Sequence, residues 1–177
     1  FENDGAFPLY DIAAEMDLDD EGQSYCTAVS DVDNDGDLDF ILWNRQEMLK
    51  LYINNEGQKR RWVKFDVVGE GHNRRGVGTS VAIRAGGLGQ IRQVAGFNNF
   101  KGVDEARLHF GLDTSRVVDE IRVTWPGGHT RTLTDYPGNQ TWTLYPPARL
   151  GDADGDGVIG PDDRAALEAC RGAVRPG

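Results

Sequence analysis

Residues 31–39 carry an aspartate at every second position, which concentrates hard oxygen ligands in a short stretch of chain. Ca²⁺ prefers about six to eight oxygen ligands in a flexible cage, and carboxylates at alternate positions can turn inward around one ion. Gly36 follows the third aspartate, where the chain has to turn sharply, and glycine permits such a turn. We therefore predict a calcium site in this loop. The predicted ligands are the side chains of Asp31, Asp33, Asp35 and Asp39 and the backbone carbonyl of Asp37.

The alternative for this loop is an acidic turn exposed to solvent. Five carboxylates within nine residues repel one another unless a cation is present, so we favour the metal site. The loop closes at its ninth position and lacks the glutamate that an EF-hand has at its twelfth. Strand-like residues precede it at 27–29 and follow it at 40–43, which predicts a β-hairpin. The acidic residues 17–21 lack this spacing and a central glycine, and we predict a solvated loop there.

A second aspartate-rich stretch, residues 152–163, has the twelve-residue spacing of an EF-hand loop. Gly157 supplies the turn, and Ile159, at the eighth position, is expected to point into a core. Apolar residues at helical spacing then predict a short helix over roughly residues 162–170. The predicted calcium ligands are the side chains of Asp152, Asp154, Asp156 and Asp163 and the backbone carbonyl of Val158.

The formal charge of −10 is concentrated around these loops. Residues 1–57 contain 15 acidic and 2 basic residues, residues 58–145 contain 8 and 13, and residues 146–177 contain 6 and 4. The overall acidity disfavours nucleic acid as a partner, and we interpret the dispersed basic residues of the middle segment as a solvated surface. An alternative is that this basic segment docks against the acidic first segment through ionic contacts.

The middle segment has the period-two alternation of half-buried β-strands. Apolar and polar residues alternate at 63–67, 81–84, 121–125 and 142–145. Turn-forming residues separate these runs at 86–89, 126–128 and 137–139. The chain has 23 glycines and 2 methionines, which also favours a turn-rich β protein. We predict a mainly β protein with a sandwich-like or barrel-like middle domain.

Composition and patterning divide the chain into segments at residues 1–57, 58–145 and 146–177. The first contains a loose repeat, because an aromatic residue, asparagine and glycine occur near its start and again near its end, at an offset typical of propeller blades. A single blade cannot bury both faces of its sheet, so we expect the segment to belong to a larger propeller. Pro146 and Pro147 predict a stiff linker to the third segment.

The 31–39 loop and its flanking strands resemble the FG-GAP, or VCBS-type, repeat of integrin-like β-propellers. The resemblance covers about residues 1–57. It implies a truncated blade in which a calcium ion holds a loop at the propeller rim. In such blades the ion is usually structural.

The middle segment resembles the ASPIC/UnbV domain. The resemblance rests on three motifs in this order and spacing, NRRGVGT at 73–79, LHFGL at 108–112 and VTWPGG at 123–128, and it covers about residues 61–145. This domain typically follows FG-GAP repeats, and it occurs in secreted bacterial proteins and in the animal cartilage acidic protein. The resemblance implies a β-rich extracellular module and supplies no catalytic residues.

The third segment resembles one repeat of a dockerin, the module that binds cohesins in polysaccharide-degrading assemblies. The resemblance rests on a calcium-type loop followed by a helix, with no helix before it. Full dockerins have two such repeats, whereas one is present here. The alternative is a small calcium-ordered cap, and both imply a short EF-hand-like loop and helix.

No catalytic constellation is recognisable, and we predict that the protein is not an enzyme. The three histidines, His72, His109 and His129, lack zinc-ligand spacing, and no nucleophile elbow or phosphate-binding loop occurs. His109 lies in an apolar strand pattern and is expected to be structural. Cys26 and Cys170 are far apart and are expected not to pair. No apolar run is long enough to predict a membrane span.

The leading functional hypothesis is a secreted, non-catalytic calcium-binding protein of the cell surface or extracellular space. It would act in adhesion or recognition, on an extracellular protein or glycan ligand. The first alternative is a component of a polysaccharide-processing complex that docks on a cohesin through residues 151–177. The second is part of an enzyme whose active site lies outside the recognisable motifs.

Overall fold

The structure, a computed structural model, describes residues 7–147, with Gln58 described by its backbone alone. The described chain is mainly β, as predicted, with ten strands and one short 3₁₀ helix, Gly57–Lys59. The strands are β1 (Ser24–Ser30), β2 (Asp39–Asn44), β3 (Lys50–Tyr52), β4 (Arg61–Val67), β5 (Ser80–Ala85), β6 (Leu88–Gln93), β7 (Leu108–Asp113), β8 (Val117–Thr124), β9 (Thr130–Pro137) and β10 (Gln140–Leu144).

Strands β1, β2 and β3 form an antiparallel sheet with β2 at its centre. Ser30 at the end of β1 pairs with Asp39 at the start of β2, so the aspartate loop connects the two strands. The predicted β-hairpin around this loop is therefore confirmed. Leu42 is the one buried apolar residue among the described residues before β4. The sheet thus has little core of its own, and much of its support comes from the strands that follow.

Strands β4 to β10 form two further sheets. In the first, β4 lies between β7 and β10, antiparallel to β7 and parallel to β10. The second is antiparallel throughout, in the order β6-β5-β8-β9. Alternate residues of both sheets enter one shared core, and its largest fully buried side chains include Trp125, Phe65, Phe110 and Ile121. The two ladders stay separate among the described residues, so the middle domain is sandwich-like and is not a closed barrel.

Two strands of the sandwich differ from the sequence prediction. The predicted turn at 86–89 is confined to Gly86 and Gly87, which have φ angles of 55° and 82°, and β6 begins at the next residue. Strand β9 was also not predicted, because none of the alternating runs includes its residues. Both strands are polar and largely exposed, with Leu133 the one buried residue of β9. Their place is set by pairing with β5 and β8, which a hydrophobic pattern does not reveal.

The predicted third segment falls almost entirely outside the described residues. This applies to the loop at 152–163, to the helix after it and to Cys170. Within residues 7–147, no helix has the length and apolar character needed to cross a bilayer.

Candidate metal centre

The aspartate loop is folded so that its two ends lie side by side. Asp31 directly follows β1 and Asp39 opens β2, and the pairing of these strands brings the two residues together. Two left-handed residues reverse the chain between them, Asn34 with φ 61° and Gly36 with φ 102°. Residues with a Cβ rarely adopt the backbone conformation of Gly36, which explains the glycine at this position.

Three of the five predicted ligands of this loop come together. Asp31, Asp33 and Asp39 each contribute one carboxylate oxygen, and these oxygens all lie within 4.8 Å of one another. No other group of three or more metal-ligating side chains of this kind occurs in the described part of the chain. The Asp35 carboxylate, a predicted ligand, lies outside the cluster, and its Oδ1 accepts the N–H of Asp37 at 3.0 Å. Asp37, whose carbonyl is the fifth predicted ligand, is buried.

The second predicted site is the loop at residues 152–163. Its residues lie outside the described part of the chain: Asp152, Asp154, Asp156, Val158 and Asp163.

Asp39 anchors the loop by accepting hydrogen bonds with both carboxylate oxygens. Oδ2 accepts the N–H of Val32 at 2.8 Å, and Oδ1 accepts the N–H of Asn54 at 2.8 Å. The residue is 0% exposed. Each carboxylate oxygen has capacity for a further ligand beyond one hydrogen bond, so Asp39 can hold the backbone and contact a cation at the same time.

Asp31 is buried at the base of the loop, with a side chain that is 0% exposed. Its Oδ2 accepts the N–H of Gly36 at 2.9 Å and pairs with the ammonium group of Lys64. Its Oδ1 is buried and has no hydrogen-bond partner among the described residues. Leaving a buried polar atom without a partner costs about 1–3 kcal/mol, and more when the group is charged. A cation between the three carboxylates would supply the missing partner.

Lys64 reaches the loop from β4 of the sandwich. The alternation of β4 places Val63 and Phe65 in the core and Lys64 on the opposite face. That face is covered by the aspartate loop, so Lys64 is 2% exposed. Its ammonium group lies 4.7 Å from the centroid of the Trp62 ring, in cation–π contact. Burial is the main cause that lowers the pKa of Lys64 below its usual value.

The turn of the loop packs on two rings from the same face of the sandwich. Trp62 of β4 and His109 of β7 stack with their centroids 6.5 Å apart. Nε2 of His109 lies 2.8 Å from the carbonyl oxygen of Gly36, and because a carbonyl only accepts, this nitrogen donates. Burial is the main cause that lowers the pKa of His109, so its ring is neutral at pH 7. His109 therefore supports the loop, in keeping with the structural role predicted for it.

A second contact joins β1 to the segment before β7. Oδ1 of Asp104 accepts the N–H of Val29 at 2.8 Å, and the N–H of Glu105 donates to the Val29 carbonyl at 3.0 Å. The Ser30 hydroxyl donates to Glu105 at 3.1 Å. Here acidic residues of the middle segment hold the acidic first segment through hydrogen bonds. The charge distribution suggested that the basic segment docks on the acidic one through ionic contacts. The pair of Asp31 and Lys64 is such a contact, whereas the contact at Val29 and Ser30 consists of hydrogen bonds.

The prediction of a solvated acidic loop at 17–21 is wrong for Asp20. Its carboxylate accepts the N–H of Gly22 at 2.8 Å and the Nδ2 of Asn44 at 2.7 Å, and it pairs with Lys50. These bonds fix the chain that leads into β1 to the far end of β2.

Lys64 and Trp62 are residues around the candidate metal centre that sequence analysis did not identify. One signal was available, because Lys64 interrupts the apolar residues of a strand in the basic segment that follows a highly acidic one. That signal does not say which carboxylate the lysine meets, since the contact is distant in sequence.

Comparison with known proteins concerns the sandwich alone. The family model described as ASPIC and UnbV matches residues 69–150. No curated protein matches the chain. The matched residues begin after β4 and include β5 to β10. Strand β4 lies just before the match, but it pairs with β7 and β10 and so belongs to the same domain. The resemblance stated from the three sequence motifs is confirmed: the chain contains an ASPIC/UnbV domain at residues 69–150.

Proposed function

We propose that this protein is a calcium-binding, non-catalytic recognition or adhesion protein of the cell surface or extracellular space. The observation that carries the calcium assignment is the cluster of Asp31, Asp33 and Asp39, in which Asp31 also has a buried oxygen, Oδ1, without a hydrogen-bond partner. Oxygen-only ligands of high negative charge suit a hard cation such as Ca²⁺. Backbone carbonyls of the loop and water would complete the coordination.

A structural role for the ion is supported by how the carboxylates are already used. Both oxygens of Asp39 hold backbone N–H groups, and the loop packs against Trp62 and His109 of the sandwich. An ion bound here would fix the loop that joins the first sheet to the sandwich. The ion would then have a structural role, and the protein would bind its ligand at another part of its surface.

We further propose that the first segment is an FG-GAP or VCBS-type propeller blade. This proposal is supported by a calcium-type loop inside a β-hairpin and by a three-stranded sheet with one buried apolar residue, Leu42. A sheet with so little core needs neighbours, as a blade does. Extracellular calcium modules bind with dissociation constants on the order of 10⁻⁴ to 10⁻³ M, which suits a calcium-rich medium.

Calorimetric titration with CaCl₂ tests the calcium assignment. Asp33→Ala is the informative variant, because Asp33 belongs to the cluster and is exposed, so the fold should survive its loss. Asp19→Ala, an exposed acid outside the cluster, is the matched control. Both are made in an Asp152→Ala background, so that uptake by the second loop does not obscure the first. We expect Asp33→Ala to weaken binding at least about tenfold and the control to leave it unchanged. Equal binding by both variants would contradict the assignment.

A second candidate function rests on the spacing of Asp152, Asp154, Asp156 and Asp163. This spacing is the basis for proposing a dockerin-like repeat that binds a cohesin, in a polysaccharide-processing complex. Calcium-dependent capture of the full chain by an immobilised cohesin, lost in Asp156→Ala, would support it. Capture that persists in EDTA would argue against a calcium-ordered docking surface.

A further inference from the structure

Lys64 is the one cationic residue that is buried among the described residues of the chain. Its ammonium group is enclosed between the Trp62 ring and the Asp31 carboxylate. Moving an ammonium group out of water costs several kcal/mol unless a charged partner compensates it. Asp31 is that partner, and Asp31 is also a member of the acidic cluster.

The two oxygens of Asp31 have different surroundings. Oδ2 is taken by Lys64 and by the N–H of Gly36, whereas Oδ1 is buried without a partner. Because Asp31 also belongs to the acidic cluster and its Oδ1 has no partner, one carboxylate can serve two cations, the lysine on Oδ2 and an ion on Oδ1. Carboxylates bridge cations in this way because their charge is spread over both oxygens.

We propose that Lys64 is a built-in second cation of the calcium loop, which shares Asp31 with the metal ion. It keeps the acidic loop folded when the ion is absent, and it weakens the affinity of the loop for the ion when calcium arrives. This inference rests on the proposed calcium function and adds its regulation by a residue of the sandwich.

The two effects have one electrostatic origin. Without calcium, the ammonium group offsets part of the repulsion among the buried carboxylates of Asp31 and Asp39. With calcium, the same positive charge lies on the shared carboxylate and repels the divalent ion in surroundings from which water is largely excluded. A residue that only positions Asp31 would also stabilise the loop without calcium, but it would strengthen calcium binding instead of weakening it.

Because Lys64 and the ion share Asp31, calcium binding and the docking of the loop on the sandwich affect each other. Lys64 belongs to β4, whereas Asp31 belongs to the hairpin, so their contact joins the first sheet to the sandwich. If the sandwich lowers the calcium affinity of the loop through Lys64, calcium must weaken the hold of Lys64 on Asp31 by the same factor. The sandwich thereby sets the calcium concentration at which the loop fills.

Lys64→Met in the full chain, in the Asp152→Ala background, tests this inference. Methionine keeps the length and apolar contacts of the lysine stem and removes the charge. In EDTA we expect the variant to melt at a lower temperature than the parent. In calcium titrations we expect its dissociation constant to fall about tenfold, because the repelling charge is gone. If the variant is unfolded in EDTA, calcium has to drive its folding as well, and the expected result is that its β-sheet circular dichroism recovers as calcium is added.

Two control variants separate charge from geometry. Lys64→Arg keeps the positive charge and should leave the dissociation constant within about threefold of the parent. Arg84→Met removes one positive charge from an exposed position of β5, in the other sheet of the sandwich, and should leave it unchanged.

The outcomes distinguish this inference from the function on which it rests. If the parent binds calcium and Lys64→Met binds it equally or more weakly, Lys64 does not share Asp31 with the ion, and the calcium function stands. If Lys64→Met does not regain its fold at any calcium concentration, the lysine is a structural partner of Asp31 and the inference is overturned. If the parent takes up no calcium at the 31–39 loop, the proposed function itself fails.

Discussion

Gly36 lies so close to Trp62 that a Cβ on the glycine would overlap the indole ring. The glycine is in the aspartate loop and the tryptophan is on β4, so this contact presses the turn of the hairpin onto the sandwich. Its closeness depends on the missing side chain, and its backbone conformation, with φ 102°, also favours glycine. Glycine at position 36 is thus required both by the local backbone conformation and by the contact with Trp62.

Gly36→Ala should therefore destabilise the protein by about 2–4 kcal/mol, from backbone strain and overlap together. Urea denaturation followed by circular dichroism measures the loss. The matched control is Gly87→Ala, because Gly87 has φ 82° and open space around its Cβ position. The control should cost only the backbone part, about 1 kcal/mol. Equal losses in the two variants would show that contact with Trp62 does not matter.

Asp39 and Asp33 should separate structural from metal-dependent stability. Asp39→Asn leaves one of the two backbone N–H groups that Asp39 accepts without an acceptor, so we expect a loss of about 2 kcal/mol even in excess EDTA. Asp33→Asn changes an exposed carboxylate and should cost little in EDTA. In saturating calcium both variants should lose stability relative to the parent. Denaturation with and without calcium checks this, and a large loss for Asp33→Asn in EDTA would contradict it.

His109 should make the protein sensitive to mild acid. Burial is the main cause that lowers the pKa of its ring below 6.5, and the positive charges of Lys64 and Arg92 lower this pKa further. The hydrogen bond to the Gly36 carbonyl and the negative charge of Glu105 raise it by less. The unfolded chain then binds a proton more readily than the folded one. Stability should therefore fall as pH drops from about 6.5 toward the folded pKa.

His109→Gln provides the comparison for that pH dependence. Glutamine can place its Nε2 donor near the Gly36 carbonyl and does not titrate. Melting temperatures measured between pH 7.5 and 5 should fall less steeply for the variant than for the parent. Parallel curves would assign the acid sensitivity to carboxylates and not to this ring.

The core of the sandwich should tolerate truncation poorly at Phe110. This residue is 0% exposed and packs edge-to-face on Phe65, with ring centroids 5.7 Å apart. Phe110→Ala should cost about 3–5 kcal/mol, from lost burial and the cavity left behind. Phe97→Ala, at a position that is 88% exposed, should cost less than about 0.5 kcal/mol. A small loss at Phe110 would mean that the core collapses around the gap.

Local sequence patterns predicted what depends on near neighbours along the chain. The hairpin around the aspartates and the inward faces of β4, β5 and β8 follow from turn residues and period-two alternation. The alternation also places Lys64 on the outer face of β4 correctly. It could not show that this face is covered, because the covering loop is distant in sequence and its contact with β4 depends on the whole fold.

The candidate metal centre was predicted in part for a related reason. Spacing identified the five aspartates of the loop, but it could not tell which carboxylates face inward. The structure brings Asp31, Asp33 and Asp39 together and turns Asp35 toward the N–H of Asp37. The loop between these aspartates turns at two residues with positive φ, Asn34 and Gly36, and aspartate spacing alone does not predict this backbone path.

The contact of Trp62 with the loop gives the molecule an intrinsic optical probe. Its indole meets Gly36 and the Lys64 ammonium group, so ordering or release of the loop changes the polarity around it. Trp125 is 1% exposed, and its Nε1 donates to the Val68 carbonyl at 2.9 Å inside the sandwich. We expect Trp62 emission to respond to calcium and Trp125 emission to respond to unfolding. Two variants that keep only Trp62 or only Trp125, with phenylalanine at the other three tryptophan positions, would therefore let one spectrum follow the loop and another follow the domain that holds it.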